Sequence, residues 1–434
     1  MTDWFDLKSF LCATEMGTVK NIKPGLKQNW QQFTLLVIIN AFVGGMIGLE
    51  RSILPSIAEE EFHLSVKTAI LSFIIVFGIT KAMANYFMGK YANSWGRKRM
   101  LVIGWLFGLP VPFLLMYAPD WNWIIFTNVL LGINQGFAWS ATVIMKIDLV
   151  GPKDRGLAMG INEFAGYLSV GIVAFATSWV AANYGLRPYP FYIGIVLVVA
   201  GLLGSLFFIK DTHQHVAAET VDHPKKKLDN IFWQTTWKHP NLGSISQAGL
   251  VNNLNDGMVW GLLPLFLLAK NYSLAQIGVV AGIYPVVWGL GQLFTGKLGD
   301  HYCKKDLLFL GMLLQSVALI GILLSTQYWL DIVAAVFLGW GTAMVYPTFL
   351  SAIADSTHPA QRAESIGVFR MWRDLGYAVG ALLTGIVADF FGMSSALVLI
   401  ILLTMMSAII INVRMYCEDK SIPRIARIMK LKFK

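Results

Sequence analysis

The sequence predicts an all-α membrane protein of twelve transmembrane helices, arranged as two pseudo-symmetric six-helix bundles. Three observations carry the prediction. The 434 residues are 56% hydrophobic and only 14% charged, with a mean hydropathy of +0.59, whereas a water-facing domain carries roughly 25% charged residues. The apolar residues also gather into twelve runs, each near the ~20 residues that a spanning helix needs. Finally, the second half echoes the first 207 residues on: Gly89 with Gly296, Gly132 with Gly339, Asp148 with Asp355, Pro152 with Pro359, Arg155 with Arg362, and Gly160 with Gly367. One repeat of that length, built of long apolar segments, indicates a duplicated membrane bundle rather than a solenoid.

The expected spans are 33–57, 66–88, 101–117, 122–145, 157–182 and 188–209, then 244–269, 274–295, 306–326, 329–351, 364–388 and 392–413. They divide the chain into an N-terminal tail 1–32, a six-helix bundle 33–210, a linker 211–243, a second bundle 244–413 and a basic tail 414–434. Lysine and arginine set the orientation. Arg97, Lys98, Arg99, Lys153, Arg155, Lys225 to Lys227, Lys304, Lys305 and Arg362 follow even-numbered spans, and both tails are basic, so both termini are expected in the cytoplasm. The net charge of +9 is thus spread over loops and tails, which favours membrane topology over nucleic-acid binding. The alternating basic and apolar residues of 421–432 suit a helix lying on an anionic leaflet.

Cys12, Cys303 and Cys417 fall on the expected cytoplasmic side without metal-ligand spacing, so neither a disulfide nor a metal is expected. His213, His215 and His223 read as solvated linker residues. The N-terminus lacks the basic start and early apolar core of a cleaved signal, which leaves the first span as the insertion signal.

The loop Gly89-Lys90-Tyr91-Ala92-Asn93-Ser94-Trp95-Gly96-Arg97-Lys98-Arg99 returns as Gly296-Lys297-Leu298-Gly299-Asp300-His301-Tyr302-Cys303-Lys304-Lys305. This Gly-x-x-x-Asp-x-x-Gly-Arg-Lys pattern resembles the loop motif of the major facilitator superfamily (MFS) of secondary transporters. The first copy has Asn93 in place of the acid, and the second has Cys303 in place of the second glycine. The resemblance covers nearly the whole chain. It implies the MFS fold, alternating access around a central site, a monomer, and a cytoplasmic gate using Gly89, Arg97, Lys98 and Asp300. Gly89 and Gly96 allow a tight turn, and the basic residues can hold helix C-termini.

Ionisable and polar residues within spans mark a cavity, a relay or a structural pair. Glu50 and Arg51 lie in the outer half of the first span, and Asn252, Asn253, Asn255 and Asp256 crowd the seventh. Because the resemblance puts these spans around the central cavity, Asp256 and Glu50 are the candidate proton-coupling groups, where substrate and proton could compete at a desolvated carboxyl. The plainer readings are a Glu50–Arg51 pair and an Asp256 satisfied by neighbouring asparagines.

Arg370 and Asp374 are four residues apart, sharing a helix face that allows an ion pair, while Arg373 needs another partner. Glu163 occupies the position of Arg370 in the first half. In the family's fold the fifth and eleventh spans meet the opposite half near the gate, so Glu163, Arg370, Arg373 and Asp374 read as a network closing it; an arginine binding an anionic substrate is the rival reading. Candidate substrate-binding residues are Asn40, Asn134, Gln135, Asn252, Asn255, Trp288 and Arg373. Trp139, Trp260, Tyr284, Trp288, Trp340 and Tyr346 could line an aromatic cavity, and Lys81 is expected to snorkel to the interface.

No zinc-protease, nucleophile-elbow or phosphate-loop motif is present, which argues against an enzyme. No cofactor is implied. The expected function is secondary active transport of a small organic solute, proton-coupled, with export by proton antiport ahead of proton-driven import of an anionic metabolite or siderophore-like compound. A receptor on a transporter fold is the alternative from another class. The expected partners are solute, protons and lipid, in a bacterial inner membrane.

Overall fold

The structure, a computed structural model, describes residues 23–51, 53–64, 67–222 and 226–418. Cys12, His223, Lys225 and the tail 421–432 lie outside the described residues. Among the described residues, twelve long helices follow one another. In the first half these are α1 Trp30–Arg51, continued by Leu54–Glu60; α2 Lys67–Trp95; α3 Arg97–Gly108, continued by Val111–Tyr117; α4 Trp121–Val150; α5 Arg155–Tyr184; and α6 Tyr192–Phe207. A linker helix, His213–Asp222, separates them from α7 Pro240–Gly261, continued by Leu263–Ala269; α8 Leu274–His301; α9 Lys304–Leu324; α10 Tyr328–Ser356; α11 Arg362–Phe391; and α12 Met393–Arg414.

Ten of these helical stretches are long and apolar enough to cross a membrane. The two that miss that measure, α4 and α7, carry buried polar residues such as Asn134, Gln135 and Lys146, or Asn252, Asn253, Asn255 and Asp256. Their low hydropathy therefore reflects polar contacts inside the bundles.

Local chemistry sets the helix ends. Asp120 caps α4 by accepting from the amides of Asn122 and Trp123, and Gly151 stops it at φ +69°. Ser273 and Gln276 form a reciprocal capping box that opens α8, and Gly392 at φ +86° allows α12 to start directly after α11. α2, α4 and α10 run on to Trp95, Val150 and Ser356, beyond the expected ends at 88, 145 and 351. For α4 and α10 the reason is electrostatic: Lys146 and Asp148, which look like loop residues by hydropathy, are buried in α4 and bonded, and Asp355 of α10 pairs with Arg155 and Lys304.

The halves meet through α2 against α11 and α5 against α8. Glycines permit both crossings. A Cβ on Gly89 would lie 2.6 Å from the Ala363 carbonyl, and one on Gly156 would lie 2.2 Å from the Gly296 carbonyl. Gly89 is thus a helix-crossing residue inside α2, not part of the turn; Gly96 alone makes the turn, at φ +87°. Toward the other end of these four helices, Gly78, Gly171, Gly278, Gly282 and Gly385 have no atom within 4 Å of a Cβ position.

The expected absence of a disulfide is corrected. After α12 the chain folds back past Asn241, which bonds the Tyr416 carbonyl and Glu418, and this brings Cys417 to Cys303. The two are disulfide-bonded with Cα atoms 5.8 Å apart.

Candidate functional site

Asp256 sits in the middle of α7 with no exposed surface. It accepts hydrogen bonds from the hydroxyls of Tyr284 on α8 and Tyr346 on α10, the latter at 3.1 Å. The asparagines expected to satisfy it point elsewhere. Asn253 accepts from Tyr346 at 2.9 Å, while Asn252 and Asn255 share Gln315 of α9, and Asn255 also accepts from Thr404 of α12. The two sets occupy different faces of the same turns: Asn253 and Asp256 face the centre, while Asn252 and Asn255, each one residue earlier, tie α7 to α9 and α12.

Around Asp256 lies an aromatic cluster drawn from both halves. Tyr167 of α5 packs against Trp288 at 4.3 Å, Trp139 at 5.4 Å and Tyr346 at 6.1 Å between ring centres. Trp288 is buried, yet its indole N–H has no hydrogen-bond partner among the described residues. Trp260 and Trp340, 52% and 39% exposed, lie outside this cluster.

Beside the rings is a layer of buried charge. Asp374 accepts from Arg373 at 2.8 Å and from Asn85 of α2 at 2.7 Å, and pairs with Lys81 at 3.6 Å. Ser140 of α4 donates in turn to Asn85. Two expectations are corrected here. Arg373 takes the carboxylate that Arg370 was expected to hold, because its side chain turns toward α2, where Asn85 and Lys81 also converge. Lys81 does not snorkel; it points inward, over the rings of Phe77 and Trp139.

Arg370 is fully buried, and none of its three guanidinium nitrogens has a hydrogen-bond partner among the described residues. Its charged surroundings are Arg373, Asp374, Glu163 and Lys146. Glu163 is buried and accepts from Trp139 at 3.3 Å and Asn162 at 2.7 Å on one oxygen, and its second oxygen has no hydrogen-bond partner among the described residues.

The other expected site residues knit the first half together. Asn40 bonds the Asn162 carbonyl and Thr142; Asn134 donates to the Gly104 carbonyl, and Gln135 to that of Val43. Glu50 is buried near the end of α1 with Arg51 and Asn128 beside it, and Arg51 itself lies over Phe77, so no Glu50–Arg51 bridge forms.

Nearer the linker, a continuous ion network joins the halves. Arg97 pairs with Asp148 at 2.7 Å, Arg362 reaches Asp148 at 3.4 Å and Glu219 at 2.7 Å, and Arg155 contacts Glu219 at 2.5 Å and Asp355 at 3.2 Å, which Lys304 also meets at 2.7 Å. Glu219, on the linker helix, therefore bridges Arg155 of one half and Arg362 of the other. Burial alone would push its carboxyl up, but the two guanidiniums hold it down at about 2.

Asp300 of α8 accepts from the amides of Gly156 and Leu157, at 2.6 and 2.9 Å, and so caps α5 across the interface. Its counterpart Asn93 donates to the Ala360 carbonyl at 2.5 Å instead and accepts from Arg97. Lys98 donates to the Leu206 carbonyl at 2.8 Å. A cavity of about 550 Å³ opens beside this network, bordered by Arg155, Glu219, Asp300, Lys304 and Cys417.

Two helical bundles related by a repeat, joined at one end and sharing a buried polar and aromatic centre, define an α-helical secondary transporter. The Major Facilitator Superfamily model matches residues 34–254 and 245–428, and the chain belongs to that family. It is 24% identical over 377 residues to the proton-coupled antiporter flippase LtaA of Staphylococcus haemolyticus, covering 84% of this chain and 89% of the relative. It is also 24% identical over 376 residues to the multidrug resistance protein MdtG of Salmonella arizonae, covering 84% and 90%. In structure it resembles the human organic anion transporter MFSD10, with a TM-score of 0.72 at 14% identity over 88% of this chain and 99% of the other. The proton:xylose symporter XylE gives 0.71 at 12% identity over 88% and 94%.

Lys146 and Glu219 escaped the sequence reading. Lys146 falls one residue past the expected end of its span, and Glu219 belongs to a segment read as plain linker. The 207-residue offset did contain a signal, since it pairs Asp148 with Asp355 and Arg155 with Arg362, the residues around Glu219.

Proposed function

We propose that this protein exports a small organic solute in exchange for protons, with Asp256 as the proton-coupling carboxyl and the Trp288, Tyr167 and Tyr346 rings as the floor of the solute site. The observation that carries the reading is the company Asp256 keeps. Its hydrogen-bond partners are neutral hydroxyls, so it can take up or release a proton without losing an ion pair. Protonating Asp374 would instead disrupt its contacts with both Arg373 and Lys81. A buried carboxyl with neutral partners and a ligand site beside it is suited to proton exchange. The names of MdtG and LtaA favour export.

Gly89, Arg97, Lys98, Asp300 and Glu219 act as the cytoplasmic gate in this reading, with the linker and both termini inside a bacterial inner membrane. The conformer is then closed inward. Glu163, Arg370 and Asp374 lie one layer deeper and belong to the site rather than to the gate. Glu50 is the candidate second carboxyl, and one chain holds the whole site, as a monomer requires.

A second reading, movement of a proton and an anion in the same direction, is favoured by Arg370, because protonating a carboxyl near a bound anion relieves repulsion. Proteoliposomes loaded with a pH dye separate the two. Antiport predicts that an outward solute gradient drives protons inward, and that Asp256→Asn abolishes this flux. Protons that follow the solute support the second reading. Solute movement without proton flux, unchanged in Asp256→Asn, overturns coupling at this carboxyl.

A further inference from the structure

Arg370 carries a buried guanidinium that neither the gate nor the proton site uses. Desolvating an arginine costs several kcal/mol unless hydrogen bonds and counter-charge replace water, and buried arginines are accordingly found paired. Arg373, three residues away, follows the rule with two contacts to Asp374. Arg370 does not: it has no exposed surface and no hydrogen bond from any of its three nitrogens to a described residue.

The surroundings give it counter-charge but no hydrogen bond. Lys81, Lys146 and Arg373 add positive charge nearby; Asp374 is held by Arg373, Asn85 and Lys81, and Glu163 takes two bonds on one oxygen while its other oxygen reaches no nitrogen of Arg370. Helix geometry places further unused donors opposite. Trp288 and Gln292 are four apart and so share a face of α8. The backbone of Gln292 lies against Gly160 of α5, one turn before Glu163, and both its amide atoms and the Trp288 N–H are buried without hydrogen-bond partners among the described residues. The centre therefore has a fork of unused cationic donors on α11 and unused neutral donors on α8, with Tyr167, which acts electrostatically on Arg370 and packs on Trp288, between them.

We propose that Arg370 anchors an anion subsite, and that the transported solute carries a carboxylate, sulfonate or phosphate on an apolar ring-bearing body. The planar guanidinium fits such groups with two parallel hydrogen bonds, while the body stacks against Trp288 and Tyr167. The inference rests on the reading of the centre as the solute site, but not on the direction of transport.

Radiolabelled 2-naphthoate and its neutral analogue 2-naphthylmethanol share a ring system and differ in charge. Their equilibrium binding to the full chain in lipid nanodiscs tests the subsite. Wild type is expected to prefer the naphthoate by about tenfold or more, the gain from charge-assisted hydrogen bonds. Arg370→Gln should remove that preference while leaving naphthylmethanol binding unchanged, and Arg370→Lys should keep part of it. Without ligand, Arg370→Gln is also expected to unfold at a higher temperature than wild type, because an uncompensated buried charge is gone. Equal binding of both probes by wild type, or a preference that survives in Arg370→Gln, overturns the proposal. Proton flux measured on the same variants in proteoliposomes keeps the readings apart: flux without anion preference sinks the subsite alone, and an Arg370-dependent preference without flux sinks coupling alone.

Discussion

Glu219 shows how a residue that looks incidental in the chain can hold two halves together. Its carboxylate lies between Arg155 and Arg362 and titrates at about 2 rather than the ordinary 4.5. A carboxyl lowered on folding stabilises the folded state above its ordinary value and loses that contribution as pH falls through the lowered one. The bridge is therefore fully formed at neutral pH and should weaken only between about pH 4.5 and 2. Removing one member of a buried pair typically costs about 3–5 kcal/mol. Glu219→Ala is expected to lower the thermal midpoint at pH 7, with the difference from wild type shrinking in acid; an unchanged midpoint at pH 7 would show that the bridge carries no stability. The positions of Asp256 and Arg370 were legible from their presence in apolar runs. Their partners were not, since periodicity puts residues on faces but does not say which side chain wins a contested carboxylate such as Asp374.

Helices α2, α5, α8 and α11 cross at glycines near the linker and have open space beside glycines farther along. The crossings depend on the missing Cβ. Gly156→Val would drive a side chain into the Gly296 carbonyl, 2.2 Å away, whereas Gly171→Val meets nothing within 4 Å. Transport should accordingly be lost in Gly156→Val and kept in Gly171→Val, with both variants eluting as monodisperse protein; equal transport would mean that this crossing is not needed for the cycle. The linker helix makes a related prediction. In Glu219→Gln the two arginines lose their shared anion, so spin labels at Trp95→Cys and His301→Cys, with Cys12 replaced by serine, should show a broader and longer distance distribution than in the Glu219 parent. Spans were readable from hydropathy because lipid rewards apolar length. The extensions of α4 and α10 were not, because their charged ends are stabilised by partners far away in sequence.

At the scale of the whole molecule, the 207-residue repeat announces the architecture, and the structure shows what duplication supplies: two matched crossings and two matched Arg–Asp pairs. It also shows where symmetry is broken for use. Asp256 has no acidic counterpart in α1, where Leu49 occupies the equivalent position and Glu50 sits one residue on; Glu163 faces the position of Arg370; and Asp300 caps α5, whereas Asn93 bonds the Ala360 carbonyl and Arg97. Repeat arithmetic finds the matches, but the proposed proton and anion sites lie in these mismatches, whose meaning depends on the packed neighbours. The disulfide between Cys303 and Cys417 likewise followed from chain return after α12 and not from any motif. The central claim, that Asp256 couples protons to solute movement, is tested most directly by comparing two modes of transport in one preparation. Exchange of labelled for unlabelled solute needs only alternating access, whereas accumulation against a gradient needs the proton. Asp256→Asn proteoliposomes are expected to exchange solute at a rate near that of wild type and to lose proton-driven accumulation. Accumulation that survives in Asp256→Asn would contradict the account.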